Sequence, residues 1–158
     1  MAIEEKVKQE LSDKFPFLKD SLVIKRARRI FVEVPPDRLI EVVKFAHSIS
    51  FTHLCTITGL DEGTDFAAIY HLSGDAQMVL NLKIHIPKDN PVIQSITGTF
   101  PGGHIYEREL EDMLGIKVAN LPPGRHYPLP EDWPSGEYPL RKNWQPKNPA
   151  KADGGANV

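Results

Sequence analysis

The sequence predicts an α+β fold in which an antiparallel sheet carries helices packed on one face, followed by an extended, proline-rich C-terminal arm. Three observations support this. Apolar and polar side chains alternate over residues 78–86 with a period of two, which is typical of a strand with one buried face. Residues 36–49 and 103–114 carry apolar side chains at helical spacing. Eight of the 14 prolines lie beyond residue 119. We therefore divide the chain into a domain, 1–119, and an arm, 120–158.

The elements of the domain follow in chain order. A helix over residues 3–15 comes first, because apolar residues recur on one face and Pro16 ends it. Pro36 and Asp37 favour the start of a second helix. The other predicted elements are strands over 22–26 and 30–34, a helix over 36–49, strands over 52–60, 66–72 and 78–86, a short helix over 91–97, a charged helix over 103–114 capped by Gly115, and a short strand ending at Val118.

Composition excludes several classes of protein. The net charge of -2 gives no basic footprint for nucleic acid. The single cysteine, Cys55, cannot supply the roughly four thiolates of an iron–sulfur cluster. No apolar run approaches the ~20 residues that span a bilayer, and the first ten residues do not form a signal peptide. We predict a cytoplasmic chain without a membrane span, a nucleic-acid partner or a cofactor of its own.

Few residues match a known catalytic or metal-binding spacing. None of the six histidines forms an HExxH motif. His71 and His85 become cross-strand neighbours if their strands form a hairpin, and with a carboxylate they would define a small metal-dependent hydrolase as an alternative. Cys55 is predicted to be a buried structural thiol. The PGGH stretch at 101–104 could present backbone amides to an anion, but we interpret it as the start of a helix.

Charged side chains crowd the predicted helix over 103–114, with five charges in the six residues 107–112. Arg108 and Asp112 are four residues apart and are predicted to pair along the helix surface. The buried side of this helix is predicted to consist of Tyr106, Leu110, Met113 and Leu114. We predict that the charged side, with Glu107, Arg108, Glu109 and Asp112, faces a partner.

The arm combines prolines with aromatic and basic side chains. Tryptophan, tyrosine and arginine dominate the binding energy of protein interfaces, and proline reduces the entropy lost when a segment docks. The arm is therefore predicted to lie along another protein through Arg125, Trp133, Tyr138, Arg141, Lys142 and Trp144.

Two motifs of the chain resemble those of a known family. YERELEDMLGI (106–116) resembles the ERE-x-x-D-x-x-GI signature of the C-type, 30-kilodalton subunit of NADH:quinone oxidoreductase, respiratory complex I. LPEDWPSGEYPLRKNW (129–144) is similar to its closing HPLRKD element. The same type of subunit occurs in membrane-bound, energy-converting NiFe hydrogenases. The matched positions are Glu107, Arg108, Glu109, Asp112, Gly115 and Ile116 in the first motif and Pro139, Leu140, Arg141 and Lys142 in the second.

The resemblance implies a cofactor-free, peripheral structural and assembly subunit of a membrane-bound, ion-translocating oxidoreductase complex. Such a subunit packs against the large catalytic subunit at the cytoplasmic face of the membrane, alongside iron–sulfur subunits. The implied iron–sulfur clusters, and a NiFe centre in hydrogenases, belong to those partners.

Three departures from the family motifs bear on whether the chain belongs with the hydrogenases or with NADH:quinone oxidoreductase. Tyr106 replaces a common tryptophan, Tyr138 replaces a common histidine, and Arg125 stands where paired arginines are usual. These differences favour the hydrogenase-type branch with ferredoxin-linked electron transfer. NADH:quinone oxidoreductase proper is the alternative, and the small hydrolase is a more distant one.

Overall fold

The computed structural model describes residues 2–146. Met1 and residues 147–158, which include the end of the predicted arm, lie outside the described residues.

A five-stranded sheet forms the centre of the domain, with strand order β1-β2-β5-β4-β3. The α+β prediction is confirmed, with one correction to the sheet. Strands β2 and β5 pair in parallel, whereas the other three pairings are antiparallel. After β2 the chain crosses to the far edge of the sheet and returns strand by strand, so β5 runs in the direction of β2. The strands are β1 Val23–Arg26, β2 Arg29–Glu33, β3 His53–Asp61, β4 Asp65–Ser73 and β5 Val79–Pro87.

A second, two-stranded sheet replaces the helix that was predicted over 91–97. Strand β6, Val92–Gln94, pairs in parallel with β7, Lys117–Ala119. The helix prediction was wrong because three residues after Pro91 favour extended backbone and find a partner strand far along the chain. Ile93 and Val118 lie opposite each other and are buried.

Three helices complete the domain, and all contribute side chains to one buried cluster. In β5, Leu80, Leu82, Ile84 and Ile86 point to one face of the sheet and are buried, so the predicted alternation is confirmed. Gly59 of β3 lies under the third helix. A Cβ atom there would come within 2.5 Å of Leu110 and 2.7 Å of Leu114, so the close packing of helix on strand requires glycine. The helices are α1 Ile3–Lys14, α2 Leu39–Ser48 and α3 His104–Leu114.

Cys55 is exposed, not buried as predicted. The pairing of β3 with β4 shifts register between Leu54 and Thr56, so Cys55 sits in a bulge. A bulge interrupts the alternation of faces along a strand, and the sequence pattern alone does not reveal it.

The described part of the arm, 120–146, contains no helix or strand, in agreement with the prediction. Its closing segment, residues 138–142, turns back onto the domain through backbone and side-chain contacts. Residues 120–142 of the arm are thus attached to the domain at both ends of that stretch.

Candidate functional site

Helix α3 and the folded-back arm form the candidate site, and the predicted charged residues of α3 divide into buried and exposed groups. Glu107 and Arg108 are buried within the chain, at 0% and 5% exposure. The interpretation of the whole run as a charged outer face was therefore too simple. Glu109 is exposed and lines a shallow groove with Leu140 of the arm.

Glu107 joins α3 to the segment after β6. Its Oε1 accepts a hydrogen bond from the backbone N–H of Ile96, and its Oε2 accepts one from Ser95 Oγ, both at 2.7 Å. Burial raises the pKa of Glu107, and these two hydrogen bonds oppose the rise without cancelling it. The carboxyl group thus has a structural role in the folded chain.

The hydroxyl group of Tyr70 lies in the core without a hydrogen bond to any described residue. Burial, and then the nearby charge of Glu107, raises the pKa of Tyr70, so the hydroxyl stays protonated. A buried polar group without a partner destabilises the folded state.

We expect Tyr70→Phe to raise the free energy of unfolding by about 1 kcal/mol, because it removes the unpaired hydroxyl and keeps the ring. Urea denaturation of both proteins measures this. Leu72→Ala, at a neighbouring core position, should lower stability by about 3 kcal/mol and serves as the control for sensitivity. A loss of stability in Tyr70→Phe would show that the hydroxyl has a partner in solution.

The predicted pairing of Arg108 with Asp112 is not formed. Its Nη2 donates a hydrogen bond to the carbonyl of Pro122, while its Nε has no hydrogen-bond partner among the described residues. Asp112 instead lies 2.6 Å from Nδ1 of His126 in the arm. Two neighbouring charges of α3 therefore contact the beginning of the arm.

The closing segment of the arm caps the C-terminal end of α3. The backbone N–H of Leu140 donates to the carbonyl of Met113 at 3.0 Å, and Nε of Arg141 donates to the carbonyl of Leu114 at 2.7 Å. The last carbonyls of a helix lack partners within the helix, and a cation there also interacts favourably with the helix dipole. We call these contacts, with those of Lys142 and Gly115 described next, the arm clamp.

Asp61 at the end of β3 is a further anchor of the arm clamp. Its Oδ2 accepts a hydrogen bond from the backbone N–H of Lys142 at 2.9 Å, and its Oδ1 lies 2.5 Å from Nζ of Lys88. Burial acts to raise the pKa of Asp61, but the hydrogen bonds from Lys88, Lys142 and Gly63 outweigh it and bring the pKa to about 2. The sequence analysis missed Asp61, since an aspartate before a turn carries no signal of a contact 81 residues away.

Gly115 makes the approach of the arm possible. It ends α3 with φ of 71°, as its predicted role of cap requires. A Cβ atom there would come within 2.5 Å of Arg141 and 2.6 Å of Tyr138. The guanidinium of Arg141 lies 4.3 Å from the centre of the Tyr138 ring and 5.1 Å from that of Phe66, within the range of cation–π attraction.

The two tryptophans lie together in the arm. Trp133 Nε1 donates to the carbonyl of Glu137, and Trp144 Nε1 donates to Oε2 of the same residue. The ring centres are 6.0 Å apart, and both side chains are half-buried. Arg125 is exposed and contacts Glu131 at 3.1 Å. Of the predicted arm residues, the structure brings Tyr138 and Arg141 against the end of α3, places the tryptophans against each other, and leaves Arg125 and Lys142 exposed.

The histidines of the hydrolase alternative do not face each other. In the pairing of β4 with β5, His71 lies opposite Asn81 and His85 opposite Ala67. His71 contacts Asn81 and Thr58 instead of a second histidine. Among residues 2–146, no group of three or more histidine, cysteine or acidic side chains is arranged to hold a metal ion.

Two known proteins are similar to this chain over most of its length. The C-type subunit of F(420)H(2) dehydrogenase from Methanosarcina mazei is 34% identical over 141 residues, covering 87% of this chain and 89% of the relative. The beta subunit of membrane-bound hydrogenase from Pyrococcus furiosus is 28% identical over 150 residues, covering 89% of this chain and 86% of the relative. The chain is therefore a subunit of the class found in complex I-like and membrane-bound hydrogenase-type complexes.

The family assignment follows from a match over most of the sequence. The family described as the 30-kilodalton subunit of respiratory-chain NADH dehydrogenase matches residues 32–150, and the chain belongs to this family. One protein in the structure of an archaeal membrane-bound sulfane sulfur reductase superposes with a TM-score of 0.81 at 22% identity, covering 89% of this chain and 85% of that protein. At this identity the likeness establishes the fold alone. Within residues 2–146, no helix is long and apolar enough to cross a membrane.

Proposed function

We propose that the chain is a cofactor-free, peripheral structural and assembly subunit of a membrane-bound, ion-translocating oxidoreductase complex. The observation that carries this proposal is the arm clamp, because the family motifs join α3 and the arm into one surface. A motif that builds a surface suits a docking role. The single cysteine supports the view that electrons pass through clusters in other subunits.

The proposed partner is the large catalytic subunit, with iron–sulfur subunits beside it. Exposed Glu109, Arg125 and Lys142 offer charged contacts on the α3–arm surface, and the half-buried Trp133 and Trp144 offer aromatic ones. Arginine and tryptophan are common among residues that dominate interface energies. The complex would place this chain at the cytoplasmic face of the membrane, with the clusters and any NiFe centre in the partners.

Within this class we favour the hydrogenase-type branch with ferredoxin-linked electron transfer. The Pyrococcus furiosus hydrogenase protein supports this choice, because its match covers 89% of this chain. A complex that oxidises reduced F(420) is the second candidate, since the Methanosarcina mazei protein is more similar in sequence over nearly the same span. NADH:quinone oxidoreductase proper gives the family its description and is the third outcome to be distinguished.

Affinity purification of the tagged chain from detergent-solubilised native membranes tests this proposal. We expect mass spectrometry to recover the large subunit and iron–sulfur subunits, with an untagged strain as the control. Paired CxxC motifs in the large subunit would support the hydrogenase branch, and their absence would favour a reductase that uses reduced F(420) or NADH. Reduction of the purified complex by each donor separates those two. Recovery of the chain alone from the soluble fraction would contradict the proposal.

A further inference from the structure

The side chain of Arg108 is a buried positive charge without a counter-charge in the described part of the chain. It is 5% exposed, its Nη2 has one carbonyl partner, its Nε has none, and it forms no ion pair with a described carboxylate. A guanidinium carries five N–H donors, and a buried charge is costly unless it is paired. Residues 2–146 therefore leave this group incompletely satisfied.

Arg108 lines a cavity of about 580 Å³ between the start of α3 and the start of the arm. His104 and Arg125 share its wall, and no acidic residue of the described chain lines it. Of the acidic neighbours on α3, Glu107 bonds to the segment after β6, and Asp112 contacts His126 through Oδ1, while its Oδ2 has no hydrogen-bond partner among the described residues. The cavity thus gathers basic side chains around the buried arginine, and an anion is the complementary ligand.

The arm backbone passes directly over the guanidinium. A Cβ atom on Gly124 would come within 2.8 Å of Nη2 of Arg108, so the arm backbone and the guanidinium are in close contact here. Exposed Glu131 contacts Arg125 at the rim and does not reach Arg108. The arm therefore contacts the guanidinium through the carbonyl of Pro122, and no described carboxylate neutralises it.

The surroundings of the cavity favour a protein ligand over a free anion. Tyr127, which lines the cavity, is 61% exposed, and its ring offers apolar surface beside the arginine. A small anion gains nothing from exposed apolar side chains, whereas a protein surface buries them. Arginine's planar fork also matches a carboxylate in a bidentate arrangement.

We propose that this cavity, centred on Arg108, binds the carboxylate of an acidic side chain from a partner subunit. The inference rests on the proposed function, for which it names the chemistry of one docking contact. The partner's carboxylate accepts hydrogen bonds from the guanidinium, while Tyr127 buries its ring beside it.

The test compares Arg108→Met with the wild-type chain in two measurements. Binding to the large subunit isolated from the complex is expected to weaken by about 30-fold or more, because one member of a buried charge pair is removed. The melting temperature of the free chain is expected to stay the same or rise, because the unpaired buried charge is removed. A merely structural arginine would instead lower the melting temperature. Arg26→Met, at an exposed arginine of β1, is the matched control and should change neither quantity.

Several results would overturn the inference. Binding of Arg108→Met as tight as that of wild type would overturn it while leaving the proposed function intact. Failure of the wild-type chain to bind the large subunit would overturn both, since the site would have no partner. Binding of inorganic phosphate that Arg108→Met abolishes, without a change in partner binding, would assign the site to a free anion.

Discussion

Replacement of Gly115 by valine is expected to detach the closing segment of the arm and to lower the free energy of unfolding by about 3 kcal/mol. Two effects add. A β-branched residue is strained at φ of 71°, and its Cβ would occupy the space of Arg141 and Tyr138. Urea denaturation measures the stability, and trypsin digestion measures how readily the chain is cleaved after Arg141.

Gly136→Val is the matched control for Gly115→Val. Gly136 has φ of 80°, but a Cβ there would meet no atom within 4 Å. It should therefore show the cost of backbone strain without opening the arm clamp, and cleavage after Arg141 should stay slow. Equal cleavage rates in the two variants would contradict the role of Gly115 in seating the arm.

The second large effect is expected at Glu107. Glu107→Ala should lower the free energy of unfolding by about 3 kcal/mol, because the N–H of Ile96 and the hydroxyl of Ser95 lose their buried acceptor. Glu107→Gln should lower it by about 1 kcal/mol, since the amide oxygen still accepts from Ile96. Denaturation of the three proteins in parallel measures both losses. Equal losses in the two variants would contradict the assignment of the effect to hydrogen bonding.

The pH dependence of stability gives an independent measure of the same group. Burial raises the pKa of Glu107 above its ordinary value of 4.5, so the folded chain holds this proton more tightly than the unfolded chain. The resulting stability is fully present below pH 4.5 and is lost as the pH rises through the folded-state pKa. Glu107→Gln should remove this decline, which denaturation over a pH series detects.

Asp61→Asn is the control, because the pKa of Asp61 is lowered in the folded chain, whereas that of Glu107 is raised. This variant should keep the loss of stability above pH 4.5 and remove the loss at low pH. The pKa of Asp61 falls from 3.8 to about 2 in the folded chain, so its contribution is present above pH 3.8 and is lost as the pH falls towards 2. An unchanged decline above pH 4.5 in Glu107→Gln would show that another group causes it.

Local patterns predicted much of the fold. Alternation along β5 and the apolar spacing of α2 identified those elements, because burial of one face imposes its period on the sequence. The parallel pairings of β2 with β5 and of β6 with β7 depend on contacts between distant segments, so local patterns did not reveal them. The three-residue strand β6 was too short to show its period and was predicted as helix.

The sequence identified several residues of the candidate site but not how these residues are arranged. The motif identified Glu107 and Arg108, but a dense run of charges is usually a solvated face, and burial of both is a property of the assembled fold. Asp61 and Glu137 were missed because their contacts with the arm are to backbone and indole groups, which leave no pattern in the sequence. Whether a partner covers Trp133, Trp144 and the exposed charges stays a prediction.

The arm clamp also changes the thermodynamics of assembly. Residues 120–139 run between Ala119, in β7, and Leu140, on the end of α3, and so form a closed loop instead of a free tail. The entropic cost of closing a loop grows only slowly with its length, and it is incurred when this chain folds. The loop is therefore already ordered when a partner docks, and it loses less conformational freedom on docking than an unanchored segment would. Residues 120–142 can therefore associate with a partner as a preformed surface, without having to fold on contact.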